Sequence, residues 1–266
     1  MKAQRKLPEI VIDGISMIVD VAFAELRHKE YPDCRVSFHN MDREGGGYAL
    51  HVEPMLQGLS ETPHPLYEKH IIGQMVVLDP EGICIKYGLE RQSLPTDDSG
   101  LSCDPKLIEK RLKGVLPQID IAGKEYHVDV RLGELHSVDD QTKRIILKML
   151  SINGNGNYVF LYDHKKHHIV NLDIDKITKE PPNTVMIELP HELWLDPIGV
   201  ARKQNIDELS LLGKYPLQHE LKARIYPLAE TFVANHIHKN IERKRGDYVD
   251  DLPFTIKPQR KKGRHL

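Results

Sequence analysis

The sequence predicts an α+β protein made of two tandem copies of a small β-rich module, followed by a long C-terminal helix and a flexible basic tail. Three observations lead there. A phrase occurs twice, as LPEIVIDGISMIVDVAFAEL (residues 7–26) and LPQIDIAGKEYHVDVRLGEL (residues 116–135). Setting Leu7 on Leu116 makes about half of that window identical. The likeness returns as LDPEGICIKYGL (78–89) against LDPIGVARKQNI (195–206). A period this long is that of a duplicated domain rather than a solenoid. The modules are placed at 1–106 and 107–228, with the helix and tail at 229–266.

Each element follows from local pattern. Ile10/Ile12 and Val19/Val21 alternate with polar neighbours, as half-buried strands do. Gly14 and Gly123 fall between the runs, where a tight turn wants positive φ. LPxIxIxG followed by VDV therefore reads as a hairpin in each module, with Asp20 and Asp129 turned to solvent or a neighbouring loop. RVSFHNM (35–41) and YALHVEP (48–54) read as strands around the Gly45–Gly47 turn. Residues 55–70 read as loop, QMVVLDP (74–80) as the start of a strand, and 82–94 as helix. Residues 96–105 have the composition of a linker. Asp104 then caps a short helix that stops at Gly114. The second module repeats the order with a hairpin at 116–136, strands at 144–151 and 158–162, and a turn at 153–157. It adds strands at 167–174 and 185–190. Beyond Lys203, the apolar residues Leu217, Leu221, Ile225, Leu228, Phe232 and Ile241 recur mostly at three- or four-residue spacing, which predicts a helix that Pro227 kinks or restarts.

Bulk composition removes several function classes. Hydrophobic residues are 40% and charged residues 29%, a globular balance. The net charge of −2 gives no global attraction to nucleic acid or an acidic membrane. Cys34, Cys84 and Cys103 are scattered and odd in number, which argues against a disulfide framework and a cysteine zinc site. No stretch approaches a membrane span and no apolar run follows the first residues, so the expected address is cytoplasmic. Phosphate-binding and nucleophile-elbow motifs are absent, and no cofactor is expected.

Four constellations could carry chemistry. Asp163, His164, His167 and His168, within a 163–175 run rich in His and Asp, offer imidazole and carboxylate ligands for a transition metal. They also suit a solvated turn between strands. Asp79 and Asp196 occupy matching positions before proline. Each reads as a helix cap, and the alternative is a carboxylate pair meeting between the copies. The lysine-containing helices beside them end at Gly88 and Asn205, left-handed caps that stop short of a DNA-reading second helix. The basic residues Arg243, Lys244, Arg245, Arg260, Lys261, Lys262 and Arg264 form the one charge asymmetry, suited to phosphate backbones. The first expectation is therefore a non-catalytic binding or adaptor protein that engages protein partners through the surface between its copies. The alternatives are a nucleic-acid-associated accessory protein acting through the tail, and a metal-dependent hydrolase using the 163–175 cluster.

Overall fold

The computed structural model describes residues 5–245 apart from 33, 54, 56 and 57. It is a mixed α+β structure with several sheets. The first half opens with a meander of β1 (Glu9–Ile12), β2 (Ile15–Asp20), β3 (Glu25–His28) and β4 (Arg35–Ser37), hydrogen-bonded in that order. A second sheet holds β5 (Arg43–Glu44), β6 (Gly47–Glu53), β7 (Gly58–Ser60) and β8 (Glu68–Ile72). Here β8 runs along one edge of β6, while β5 and β7 share the other. Helices α1 (Met75–Leu78) and α2 (Pro80–Tyr87) follow, and α3 (Pro105–Leu112) leads into the second half.

The second half has the same succession. Its meander is β9 (Gln118–Ile121), β10 (Lys124–Asp129), β11 (Glu134–Ser137) and β12 (Arg144–Ile146). Its other sheet has β13 (Ser151–Ile152), β14 (Tyr158–Asp163), β15 (His168–Ile169) and β16 (Thr184–Leu189). There β16 runs along β14, and β13 and β15 flank the opposite edge. Helices α4 (Glu192–Leu195) and α5 (Pro197–Gln204) follow, then β17 (Leu221–Lys222), β18 (Arg224–Pro227) and α6 (Phe232–Arg245).

The pairing registers coincide under the alignment that sets Leu7 on Leu116. Ile12 faces Ile15 as Ile121 faces Lys124, and Met17 faces His28 as Tyr126 faces Ser137. Leu26 faces Val36 as Leu135 faces Ile145. A one-residue slip would exchange the two faces of a strand, so shared register means a shared buried face. Val19, Leu26, Val128 and Leu135 are indeed fully buried. The turns match too: Asp13–Gly14 and Ala122–Gly123 both have two consecutive positive φ values, as a type I′ hairpin requires.

Two separate cores result. One gathers Met17, Val19, Leu26, Phe38, Leu50 and Ile83, and the other Ile119, Tyr126, Leu135, Tyr162, Ile187 and Leu195. α6 lays Val233 and Ile237 on Leu161 and Leu228 of the second half. Among the described residues, no helix is long and apolar enough to cross a membrane.

Four local expectations are corrected. Within 74–80, Met75–Leu78 is helical rather than extended, because the Asp98 carboxylate accepts the backbone N–H groups of Met75 and Val76, both at 2.9 Å, and so caps α1. The helix expected over 82–94 ends with α2 at Tyr87, and Arg91–Ser93 form a separate 3-10 turn. The loop expected over 55–70 contains β7 and the start of β8. The apolar series from Leu217 is not one helix. Leu221 and Ile225 lie in β17 and β18, which take up unpaired edges of β9 and β16, and helix resumes only at Phe232. Pro216 and Pro227 break the helical ladder, and the sheet edges offer the backbone better partners.

The repeated LDPxG phrase has a physical explanation. Asp79 and Asp196 are 1% and 0% exposed. Each accepts the N–H of the glycine three residues on, Gly82 at 3.0 Å and Gly199 at 2.9 Å, with Pro in the first turn. Each is also clasped by an arginine through two hydrogen bonds: Arg5 at 2.7 and 2.5 Å, Arg111 at 2.9 and 2.7 Å. A Cβ on Gly82 or Gly199 would overlap that carboxylate. Gly199→Ala is therefore expected to destabilise the protein by about 1–3 kcal/mol. Gly213→Ala, which adds its methyl to open space, should cost far less. Urea midpoints of the two variants measure the contrast.

Candidate functional site

The candidate site is a cleft of about 180 Å³ lined from both halves. β3 and β4 bring Glu25 and Arg35 to one wall, and α2 brings Lys86. β16 and β18 bring Glu188 and Arg224 to the other, with Trp194 from α4 at its rim.

Glu188 is the centre of the polar network. Its Oε2 accepts the Tyr226 hydroxyl at 2.6 Å, and its Oε1 accepts Asn157 Nδ2 at 2.7 Å and Asn153 Nδ2 at 3.2 Å. Arg35 reaches across from the first half to Glu188 at 3.4 Å and also donates to the Tyr226 hydroxyl. Arg224 returns the crossing: its Nη2 lies 2.6 Å from Glu25 Oε2, and its guanidinium sits 4.3 Å over the Phe23 ring. His39 stacks on Trp194 with centroids 4.0 Å apart, and the N–H of His219 donates to the Lys86 carbonyl at 2.7 Å.

These environments drive the two glutamates apart. Burial raises the Glu25 carboxyl, and the charges of Arg224 and Arg35 offset only part of that. Burial would raise Glu188 as well, but hydrogen bonds from Tyr226 and Asn157 and the two arginine charges outweigh it and hold Glu188 below its ordinary range. Burial pushes the Tyr226 hydroxyl up to about 12, so it remains a donor at neutral pH. Lys86 is pulled down to about 8, chiefly by burial. Desolvation lowers His39, as do the charges of Lys86 and Arg43, although the residue as a whole is exposed.

The residues singled out from sequence fall elsewhere. Asp79 and Asp196 are each engaged inside their own half, capping α2 and α5. Of the two aspartates expected to face solvent or a neighbouring loop, Asp20 is buried and lies 3.7 Å from an Arg27 nitrogen, and Asp129 is half-buried and accepts the N–H of Leu132 in the following turn at 3.0 Å. Asp163 ends β14 and accepts the N–H groups of Lys165 and Lys166, both at 2.9 Å. His164 and His168 are exposed, and His167 takes the left-handed turn position near the Tyr162 hydroxyl. The ligand atoms of Asp163, His164, His167 and His168 do not converge; among the described residues the converging set is Asp13, Glu68 and His70, within 4.8 Å of one another. Within that set His70 Nε2 lies 2.7 Å from Asp13 Oδ2. Arg243, Lys244 and Arg245 close α6, while Arg260, Lys261, Lys262 and Arg264 lie outside the described residues.

The alignment that sets Leu7 on Leu116 also sets Arg35 on Arg144 and Glu25 on Glu134. In the second half these positions make a local contact, Arg144 to Glu134 at 3.3 Å. In the first half both are redirected across the cleft. The available signal was a lone glutamate in the apolar strand VMIEL and a lone arginine and tyrosine in ARIYP.

The chain matches no family model, no curated protein and no solved structure.

The Glu188 network makes an acid-sensitive seam. A carboxylate with a lowered pKa stabilises the fold above its unfolded value of about 4.5, and this stabilisation is lost as pH falls through the lower folded value. Glu188→Gln is expected to flatten that component of the melting curve below about pH 4.5, measured as Tm from pH 6 to pH 3.

Proposed function

We propose that this is an internally duplicated, non-catalytic binding or adaptor protein whose ligand or partner is received in the cleft between its two modules. The observation that carries the reading is that the cleft is built jointly. Arg35 crosses to Glu188 and Arg224 crosses to Glu25, so neither half could form the lining alone. The coinciding strand registers and the matching arginine-clasped caps support the duplication. Two like modules packed in one chain resemble a homodimer whose halves are free to diverge, and such a junction is a common place for a ligand. The basic last turn of α6 supports a second reading, in which the C-terminal segment associates with nucleic acid. No observation favours the metal-dependent hydrolase.

The test is affinity capture of tagged protein from the lysate of its source, with and without nuclease, comparing wild type with His39→Arg in the cleft mouth. The adaptor reading expects nuclease-resistant partners that His39→Arg loses. Partners that survive His39→Arg but vanish with nuclease, and with deletion of 243–266, would instead establish the nucleic-acid reading.

A further inference from the structure

Resting on the cleft as the binding site, we propose that its ligand is a small anion, presenting a carboxylate or phosphate group to the ammonium of Lys86. Direct contact, rather than net charge, singles out Lys86, since with Glu220 included the charges of the lining balance. The cleft lining carries Arg35, Lys86, Lys222 and Arg224 against Glu25, Glu61 and Glu188. Arg224 is matched by Glu25, Arg35 by Glu188, and Lys222 by Glu220 at 2.9 Å. Glu61 accepts the backbone N–H of Ser37 at 3.0 Å. Lys86 remains. It is 5% exposed, and among the described residues no salt bridge reaches it. Its Nζ donates to the Val21 carbonyl at 2.9 Å, which occupies one of its three N–H groups.

The carboxylates that act on Lys86 through space are Asp20 and Asp98, and both are engaged elsewhere. Asp20 faces Arg27, and Asp98 accepts the Tyr48 hydroxyl at 2.7 Å and caps α1. His39, which lines the cleft near Lys86, has its pKa lowered by burial and by the charges of Lys86 and Arg43, and so supplies no counter-charge. A buried ammonium without a contacting carboxylate is costly, and the usual remedies are a counter-ion or loss of the proton. The corresponding lysine of the second half shows the ordinary solution: Lys203 is partly exposed and ion-paired with Glu192 at 3.1 Å. The first half has kept the lysine, buried it at the joint cleft and left its counter-charge to be supplied. The volume of about 180 Å³ is enough for one such anionic group.

The experiment uses the purified full chain and competitive acetylation of lysines, read residue by residue by mass spectrometry across pH 6–10. Inorganic phosphate, succinate and chloride are compared at equal ionic strength. The expected result is that phosphate or succinate protects Lys86 at least tenfold, saturably, while chloride does not and Lys203 is unaffected. Which of the two anions protects distinguishes the phosphate from the carboxylate source. A parallel thermal-shift series should show the same anion raising Tm, with the rise lost in Lys86→Met and retained in Lys203→Met. Equal labelling of Lys86 in all three salts would overturn the proposal, as would a Lys86 that stays unlabelled until the protein unfolds. Either outcome would leave the cleft reading intact, since that stands or falls on the capture by His39→Arg.

Discussion

Arg224 and Glu188 hold the molecule together at the point where its two cores do not meet. Each half buries its own apolar set. Across the seam, beside a small apolar cluster of Cys103 with Ile198 and Leu217, the contacts are charged or aromatic: Arg224 to Glu25, Arg35 to Glu188, and His39 on Trp194. A buried carboxylate survives in such a place only if its lone pairs are taken up, and Glu188 has Tyr226, Asn157, Asn153 and Arg35 for the purpose. Because guanidinium groups are planar and directional, these crossings fix orientation as well as contact. The shape of the cleft follows from them.

The two halves use common parts differently. Both have a meander in the same register, a central strand flanked by two short ones, and a helix pair started by an arginine-clasped aspartate. Yet the arginines come from different places, Arg5 from the extended lead into β1 and Arg111 from α3. In both halves the carboxylate takes a bidentate arginine, by a different route. The lysines at 86 and 203 also differ in surroundings, Lys86 being buried and Lys203 exposed beside Glu192.

Much of the local architecture was legible from residues alone. Gly14 and Gly123 mark turns because few other residues sit comfortably at φ +79 and +85. Gly88 and Asn205 end helices in the left-handed conformation for the same reason, and Asp104 caps α3 as its place before proline suggests. What periodicity misread was the 217–228 segment. An apolar residue every three or four positions is also what a strand, a turn and a second strand present when each buries something different, and only the open edges of β9 and β16 decide between the two. The site was hidden for a related reason. Glu25, Arg35, Glu188 and Arg224 are far apart along the chain, each an unremarked charge in a short strand. Their meeting is a property of how two modules pack, which no local pattern encodes.

The parallel pairing of β17 with β9 has a consequence for how the chain is made. The first half has all its strands by Ile72, its helix pair by Tyr87, and Asp98 and Leu101 soon after to cap α1 and complete the core, so it can close while the rest is still being synthesised. The second half cannot finish so early. β9 is followed by about a hundred residues before Leu221 and Lys222 arrive beside Ile119 and Asp120, and β16 waits for Arg224–Pro227 on its free side. Until then two strand edges stand open, each able to pair with a stranger. Contacts of such long sequence separation form slowly because the loop must close before they repay it. The nascent protein thus has a finished half beside an unfinished one, and the last strand to dock carries Arg224, the residue that joins them.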